Sequence, residues 1–119
     1  MLTFPAAVRI LLCTQPVDLR RSFDGLATLV REHLGDDPLS GHLFVFRNKA
    51  GDRVKLLYWD KDGFAIWYKR LEEGVFRFPT ATDHGGGVAV SAADLTMLLD
   101  GVDLDSVRRR HRYHRPVSA

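Results

Sequence analysis

Two runs rich in aromatic and aliphatic residues meet across Asp60-Lys61-Asp62-Gly63, and no other feature constrains the fold as much. Arg53 to Asp60 and Phe64 to Leu71 each have the length and composition of a strand, and Asp-Gly between such runs is a strong hairpin signal. Accepting this hairpin extends it into a meander. His42 to Lys49 comes before it through a short loop, Ala50-Gly51-Asp52. Val75 to Phe78 comes after it through Glu72-Glu73-Gly74, and Pro79 stops the run.

The acids of the turn suggest two other chemistries. A calcium loop needs oxygen ligands at positions 1, 3, 5 and 12 with Gly at 6. Counted from Asp60, those last three places hold Phe64, Leu71 and Ala65, so the pattern fails. As catalytic carboxylates, Asp60 and Asp62 have no third acid nearby and a lysine between them. A solvated turn accounts for them better.

Upstream, Val8 to Thr14 reads as a first strand. Pro16 stands where a helix can begin. Leu19, Phe23, Leu26, Val30 and His33 then recur every 3–4 residues to Leu34, with Leu29 widening the stripe. Gly25 within it implies close packing or a kink. Gly35-Asp-Asp-Pro38 ends the segment. Downstream, Thr80 to Gly87 reads as a loop and Val88 to Val90 as a short strand. Ser91-Ala-Ala-Asp94 resembles a capping box opening a helix that Gly101 closes, and a further turn or two of helix is expected within Asp103 to Arg110. The pattern predicts an α+β fold: a mainly antiparallel sheet with a β-meander, one long N-terminal helix (Val17 to Leu34) and a short C-terminal helix. A single domain over 1–105 is expected, with a basic, flexible tail over 106–119.

Several functional classes drop out. No apolar run approaches the roughly 20 residues that cross a bilayer, and Met1 to Ala7 lacks the features of a secretory leader. Cys13 is alone in an apolar run, as suits a buried small hydrophobe in a reducing compartment. A cytoplasmic location without membrane contact is expected. His111 and His114 have no further ligands after them to complete a zinc set. His84-Gly85-Gly-Gly87 leads into β-type residues, where a phosphate cradle requires a helix carrying Lys and Ser or Thr. The serines lack a nucleophile-elbow motif. No catalytic residues, metal ligands or cofactor are expected.

The charge is uneven. The formal net charge is +2, yet Arg108, Arg109, Arg110, Arg112 and Arg115 all lie near the end, and without them 12 basic residues face 15 acidic ones. Such asymmetry points to a polyanion or an acidic partner surface. Within the meander, alternate turns fall at the same end of the sheet. That brings Arg47, Lys49, Arg53, Lys55, Lys69, Arg70 and Arg77 around the loops at 50–52 and 72–74, opposite the turn at 60–63. A positive rim there and an arm of Arg108, Arg109, Arg110 and Arg112 could hold nucleic-acid phosphates, with aromatics available for stacking. A solvated charged edge and a solvating tail are the alternatives.

The order of motifs resembles a bacterial accessory family. They run Asp18-Leu-Arg20-Arg-Ser-Phe23-Asp-Gly25-Leu26, Asp37-Pro38-Leu-Ser40-Gly41-His-Leu-Phe44-Val-Phe46-Arg-Asn48 and Asp52-Arg53-Val-Lys55-Leu-Leu-Tyr58-Trp59-Asp60. Asp62-Gly63-Phe64, Trp67-Tyr68-Lys-Arg70-Leu71-Glu-Glu-Gly74 and Phe76-Arg-Phe78-Pro79 follow. Over about residues 8–102 the chain is similar to the insertion-sequence accessory protein TnpB, the small middle frame of three-frame elements of the sixty-six type, distinct from the RNA-guided nucleases of that name. The resemblance implies a role in transposition beside a separate, larger transposase, and it supplies no catalytic residues.

The sequence thus favours a non-enzymatic accessory protein that contacts element DNA, the separate transposase, or both. A pure protein–protein adaptor is the alternative, and a small nuclease using Asp60 and Asp62 is the least favoured. Oligomeric state, including a homo-oligomer, is left open.

Overall fold

The computed structural model describes residues 8–79 and 87–101. Its framework is a five-stranded sheet of β1 (Ile10–Cys13), β2 (Leu43–Arg47), β3 (Arg53–Asp60), β4 (Gly63–Arg70) and β5 (Gly87–Val90). The strands lie in the order β4-β3-β2-β1-β5, and β1 runs parallel to β2 while the other pairs are antiparallel. Helix α1 (Phe23–Leu29), the π-helical turn that continues it (Val30–Leu34) and helix α2 (Ala92–Leu99) complete the described elements.

The expected architecture is corrected in three respects. The sheet is mixed, because β1 and β2 pair in parallel, Ile10 with Leu43 through Leu12 with Val45. Parallel neighbours need a long crossover, which residues 14–42 provide. Neither helix is long. α1 begins at Phe23 because Asp18 takes the preceding backbone into a turn: its carboxylate accepts from the Arg20 N–H (2.9 Å) and its carbonyl from the Arg21 N–H (3.2 Å). Such local bonding competes with helix formation. At its other end α1 widens into a π-helical turn (Val30–Leu34), closed by Gly35 at φ 65°.

Thirdly, Val75 to Phe78 is no strand. The chain turns at Gly74 (φ 82°), and the Phe76 N–H donates to the Gly51 carbonyl at 2.8 Å. Phe76 is buried beneath α2 while Val75 and Arg77 remain exposed, so the alternation is real without a ladder. Gly87, expected in a loop, is the first residue of β5. Residues 80–86 and 102–119, which include the expected tail and the turns over Asp103 to Arg110, lie outside the described residues.

Two apolar clusters sandwich the sheet. Leu26 and Ala27 of α1 and Val30 of the π-helical turn pack with Phe44, Phe46, Leu57 and Cys13 on one face. Leu95 and Leu98 of α2, with Phe76, pack with Ile10, Leu12, Leu43, Val45, Val54 and Leu56 on the other. β2 is therefore covered on both sides, and Leu43, Phe44, Val45 and Phe46 are all fully buried. This is why β2 reads as a continuous apolar run. Gly25 packs closely, since a Cβ there would sit 3.0 Å from the Arg21 Cβ and push that side chain aside.

The capping box of α2 forms as the sequence indicates. The Ser91 hydroxyl accepts from the Asp94 N–H at 3.0 Å, and the Asp94 carboxylate receives the Ser91 N–H. Cys13 is fully buried, and that burial pushes its thiol pKa up.

The hairpin at residues 60–63 also forms, with Asp60 opposite Gly63 and only Lys61 and Asp62 between them. The left-handed position, however, falls on Lys61 (φ 58°) and not on glycine. A side chain held there costs about 1 kcal/mol. Lys61→Gly is therefore expected to raise the melting temperature by several degrees, measured by thermal denaturation.

Candidate nucleic-acid interface

The two hairpin-end loops expected to share an end do so. Leu71 donates its N–H to the Asp52 carbonyl (2.8 Å), which joins the chain leaving β4 to the β2–β3 loop. Asn48 organises that loop. Its side-chain carbonyl accepts from the Gly51 and Arg53 N–H groups (both 3.0 Å), and its amide donates to the Asp52 carboxylate (2.7 Å).

Strand register then sorts the basic side chains. Arg53 pairs with Arg70 and Lys55 with Tyr68, so these four share the α1 face of the sheet. Arg53, Lys55 and Tyr68 border a cleft of about 860 Å³ between the Pro16 to Arg20 segment and the β3–β4 surface, which Arg20 and Lys49 also line. Two carboxylates, Asp18 and Asp52, also line it. Tyr68 is 48% exposed. The Arg53 guanidinium donates to its hydroxyl at 3.0 Å, and the Lys55 ammonium sits 4.9 Å from its ring centroid. Lys55 also donates to the Arg21 carbonyl at 2.9 Å, which ties the cleft wall to its floor. Arg53 and Arg70 lie directly opposite each other, an unfavourable like-charge pair. Each turns elsewhere, Arg70 to Glu72 at 2.9 Å.

The remaining expected rim residues lie apart from the cleft. Lys69, one position out of phase, faces the other side of the sheet, and its ammonium reaches the Leu99 carbonyl at the end of α2 (3.5 Å). That placement suits the negative end of a helix. Arg47 is half-buried, donates to the Thr14 carbonyl at 3.1 Å and lies over the Phe78 ring at 5.3 Å. Arg77 is exposed on the segment under α2. Arg108, Arg109, Arg110 and Arg112 lie outside the described residues. The sequence reading missed Arg20, which it placed on the polar side of a helix. The signal was Asp18-Leu-Arg20, a spacing suited to an Asx turn.

Arg20 closes the cleft through a bidentate pair with Asp18 (2.7–3.0 Å). The bonds from the Arg20 guanidinium, and then from its N–H, hold the Asp18 carboxyl at a pKa of about 2, against an ordinary 3.8. A depressed carboxyl pKa contributes stability that is present above the unfolded value and is lost as the pH falls through the folded value. The turn is therefore expected to persist through mild acid and to loosen only near pH 2. A carboxyl-carbon NMR titration should place the Asp18 midpoint near 2, and Arg20→Ala should return it toward 3.8.

Among the described residues, no group of three or more His, Cys, Asp or Glu side chains is arranged to hold a metal ion. Nor is any helix among them long and apolar enough to cross a membrane. Asp60 and Asp62 lie at the far end of β4 from the cleft.

The family model described as IS66 Orf2 like protein matches residues 8–109. The chain belongs to that family. Two proteins of Sinorhizobium fredii are similar along most of their length, and both are described as uncharacterized. Protein y4jC is 42% identical over 103 residues, covering 87% of this chain and 86% of its own. Protein y4hO is 42% identical over 96 residues, covering 81% and 82%. No solved structure matches significantly. Membership makes this an insertion-sequence-associated accessory protein, and the matched region takes in the whole cleft and the first residues of the arginine-rich tail.

Proposed function

We propose that this IS66 Orf2-like protein assists transposition without catalysing it, by holding element DNA through the cleft between the Pro16 to Arg20 segment and β3–β4. The supporting observation is the convergence of Arg20, Lys49, Arg53 and Lys55 on one concave surface, beside an exposed tyrosine. Phosphate oxygens suit Lys49 and Arg53, whose charges have no carboxylate partner among the described ion pairs. Arg20 is held at the mouth by Asp18. Contacts of this kind position a duplex or strand without reading its sequence. Specificity for the element then comes from the transposase, with which the protein acts. The basic tail, Arg108 to Arg112, would lengthen the phosphate track.

The decisive experiment is a mobility shift on element-end DNA, repeated across a salt series, with and without transposase. Binding that weakens steeply with salt, and does so equally on unrelated DNA of the same length, supports the reading. No shift at low salt, together with capture of the transposase, would replace it with a pure adaptor role.

A further inference from the structure

Among the described residues, no strand pairs with the outer edge of β4. β4 ends the sheet and is eight residues long, with no proline and no bulge along its register with β3. These are the properties that native sheets usually avoid at an edge. The two-residue turn fixes which groups are free. Asp60 and Gly63 form the closing pair, so Gly63, Ala65, Trp67 and Lys69 direct their N–H and C=O groups toward β3. The inward bond from Leu71 to Asp52 continues that alternation. Phe64, Ile66, Tyr68 and Arg70 therefore direct theirs outward, where no described strand meets them. No side chain of β4 is fully buried.

We infer that β4 pairs antiparallel with β4 of a second copy about a two-fold axis at Ile66, joining two five-stranded sheets into one. Charge selects both the occupant and the register. The hairpin edge is polar along its length, with Asp60, Lys61 and Asp62 in and before the turn that opens β4, and Lys69 and Arg70 at its far end, where Arg70 also pairs with Glu72 at 2.9 Å. Antiparallel self-pairing sets each acidic end beside the partner's basic end, whereas a parallel neighbour would stack like on like. Because the outward-facing residues are the even-numbered ones, they must pair with one another. Centring on Ile66 places Tyr68 opposite Phe64 on the α1 face, twice, and brings Arg70 level with Asp62 in the partner's turn, also twice. On the other face, bulky Trp67 meets Ala65 and Lys69 meets Gly63. Centring one residue later would set Trp67 against its own copy and Lys69 against Ala65, and would leave Arg70 beside Phe64. Aromatic and opposite-charge cross-strand pairs of the first kind stabilise a ladder.

The inference is independent of DNA binding, and it is tested on the full chain by sedimentation over a concentration series. The unchanged protein is expected to reach twice the 13.5 kDa chain mass. Asp62→Arg and Arg70→Asp, each made alone at an exposed position, set like charges opposite each other twice and should return the mass to one copy. Mixing the two variants restores both opposite-charge pairs in a heterodimer, so the doubled mass should reappear. In the unchanged protein, the Phe64, Ile66, Tyr68 and Arg70 amides should gain hydrogen-exchange protection as concentration rises. This second measurement does not depend on either variant folding. A chain that stays single at every concentration, a dimer indifferent to both substitutions, or singles that fail to associate when mixed would each overturn the pairing.

Discussion

Replacing Phe44 with alanine is expected to remove about 3–5 kcal/mol of folding stability, the range for an aromatic truncated in a closed core. The loss is that large because of where β2 lies. Phe44 is fully buried in a strand with neighbours on both sides, β1 and β3, and it clusters with Leu26 and Ala27 of α1 and Val30 of the π-helical turn. Backbone pairing on both flanks prevents the strand from moving inward, so the vacated space stays open. Against a typical total of about 5–15 kcal/mol, much of the native population would be lost. Phe23, at the start of α1 and 44% exposed, is the control: its alanine variant should stay within about 0.5 kcal/mol of the parent. Urea titrations of both variants check this, with the midpoint falling for Phe44→Ala and the slope unchanged for each.

The second large effect concerns the cleft. Lys49→Gln combined with Arg53→Gln should lower the dependence of log affinity on log salt by about 2, close to 0.9 for each phosphate no longer neutralised. Affinity should fall on all DNA sequences alike, because neither side chain is proposed to touch a base edge. Lys69→Gln supplies the contrast. It removes one positive charge, from a neighbouring strand but on the other face of the sheet, where the ammonium meets α2. If the cleft holds DNA, this variant keeps the parental slope. A slope lowered by about 1 in Lys69→Gln, half the effect of the Lys49–Arg53 pair, would mean that net charge, and not the cleft, governs binding. A slope unchanged in the double variant would remove the cleft from the interface altogether.

Much of this site was legible in the chain. A two-residue turn at 61–62 already dictates that Arg53 faces Arg70 and Lys55 faces Tyr68, so those four share a face and Lys69 does not. Treating the basic residues as one rim ignored that alternation. Arg47 was a different kind of error. Its sequence neighbours suggest an exposed strand end, and only the arrival of Thr14 and Phe78 from distant segments covers it. Arg20 was hidden by an apolar stripe that seemed helical from Val17, although Leu19 reaches the core from a loop.

Local chemistry carried what the sequence determined by itself: the β3–β4 hairpin, the capping box of α2, the buried Cys13 and the family. Each depends on residues a few positions apart, or on a run of motifs in order, so the chain states it directly. The tertiary structure alone decided that β1 and β2 run parallel, that the run at 75–78 lies under α2, and that the Asp18 to Arg20 turn closes a basic cleft. These outcomes are competitions between partners far apart in the chain. Burying β2 on both faces outweighs the local preference for a meander, and no window of neighbouring residues records that balance.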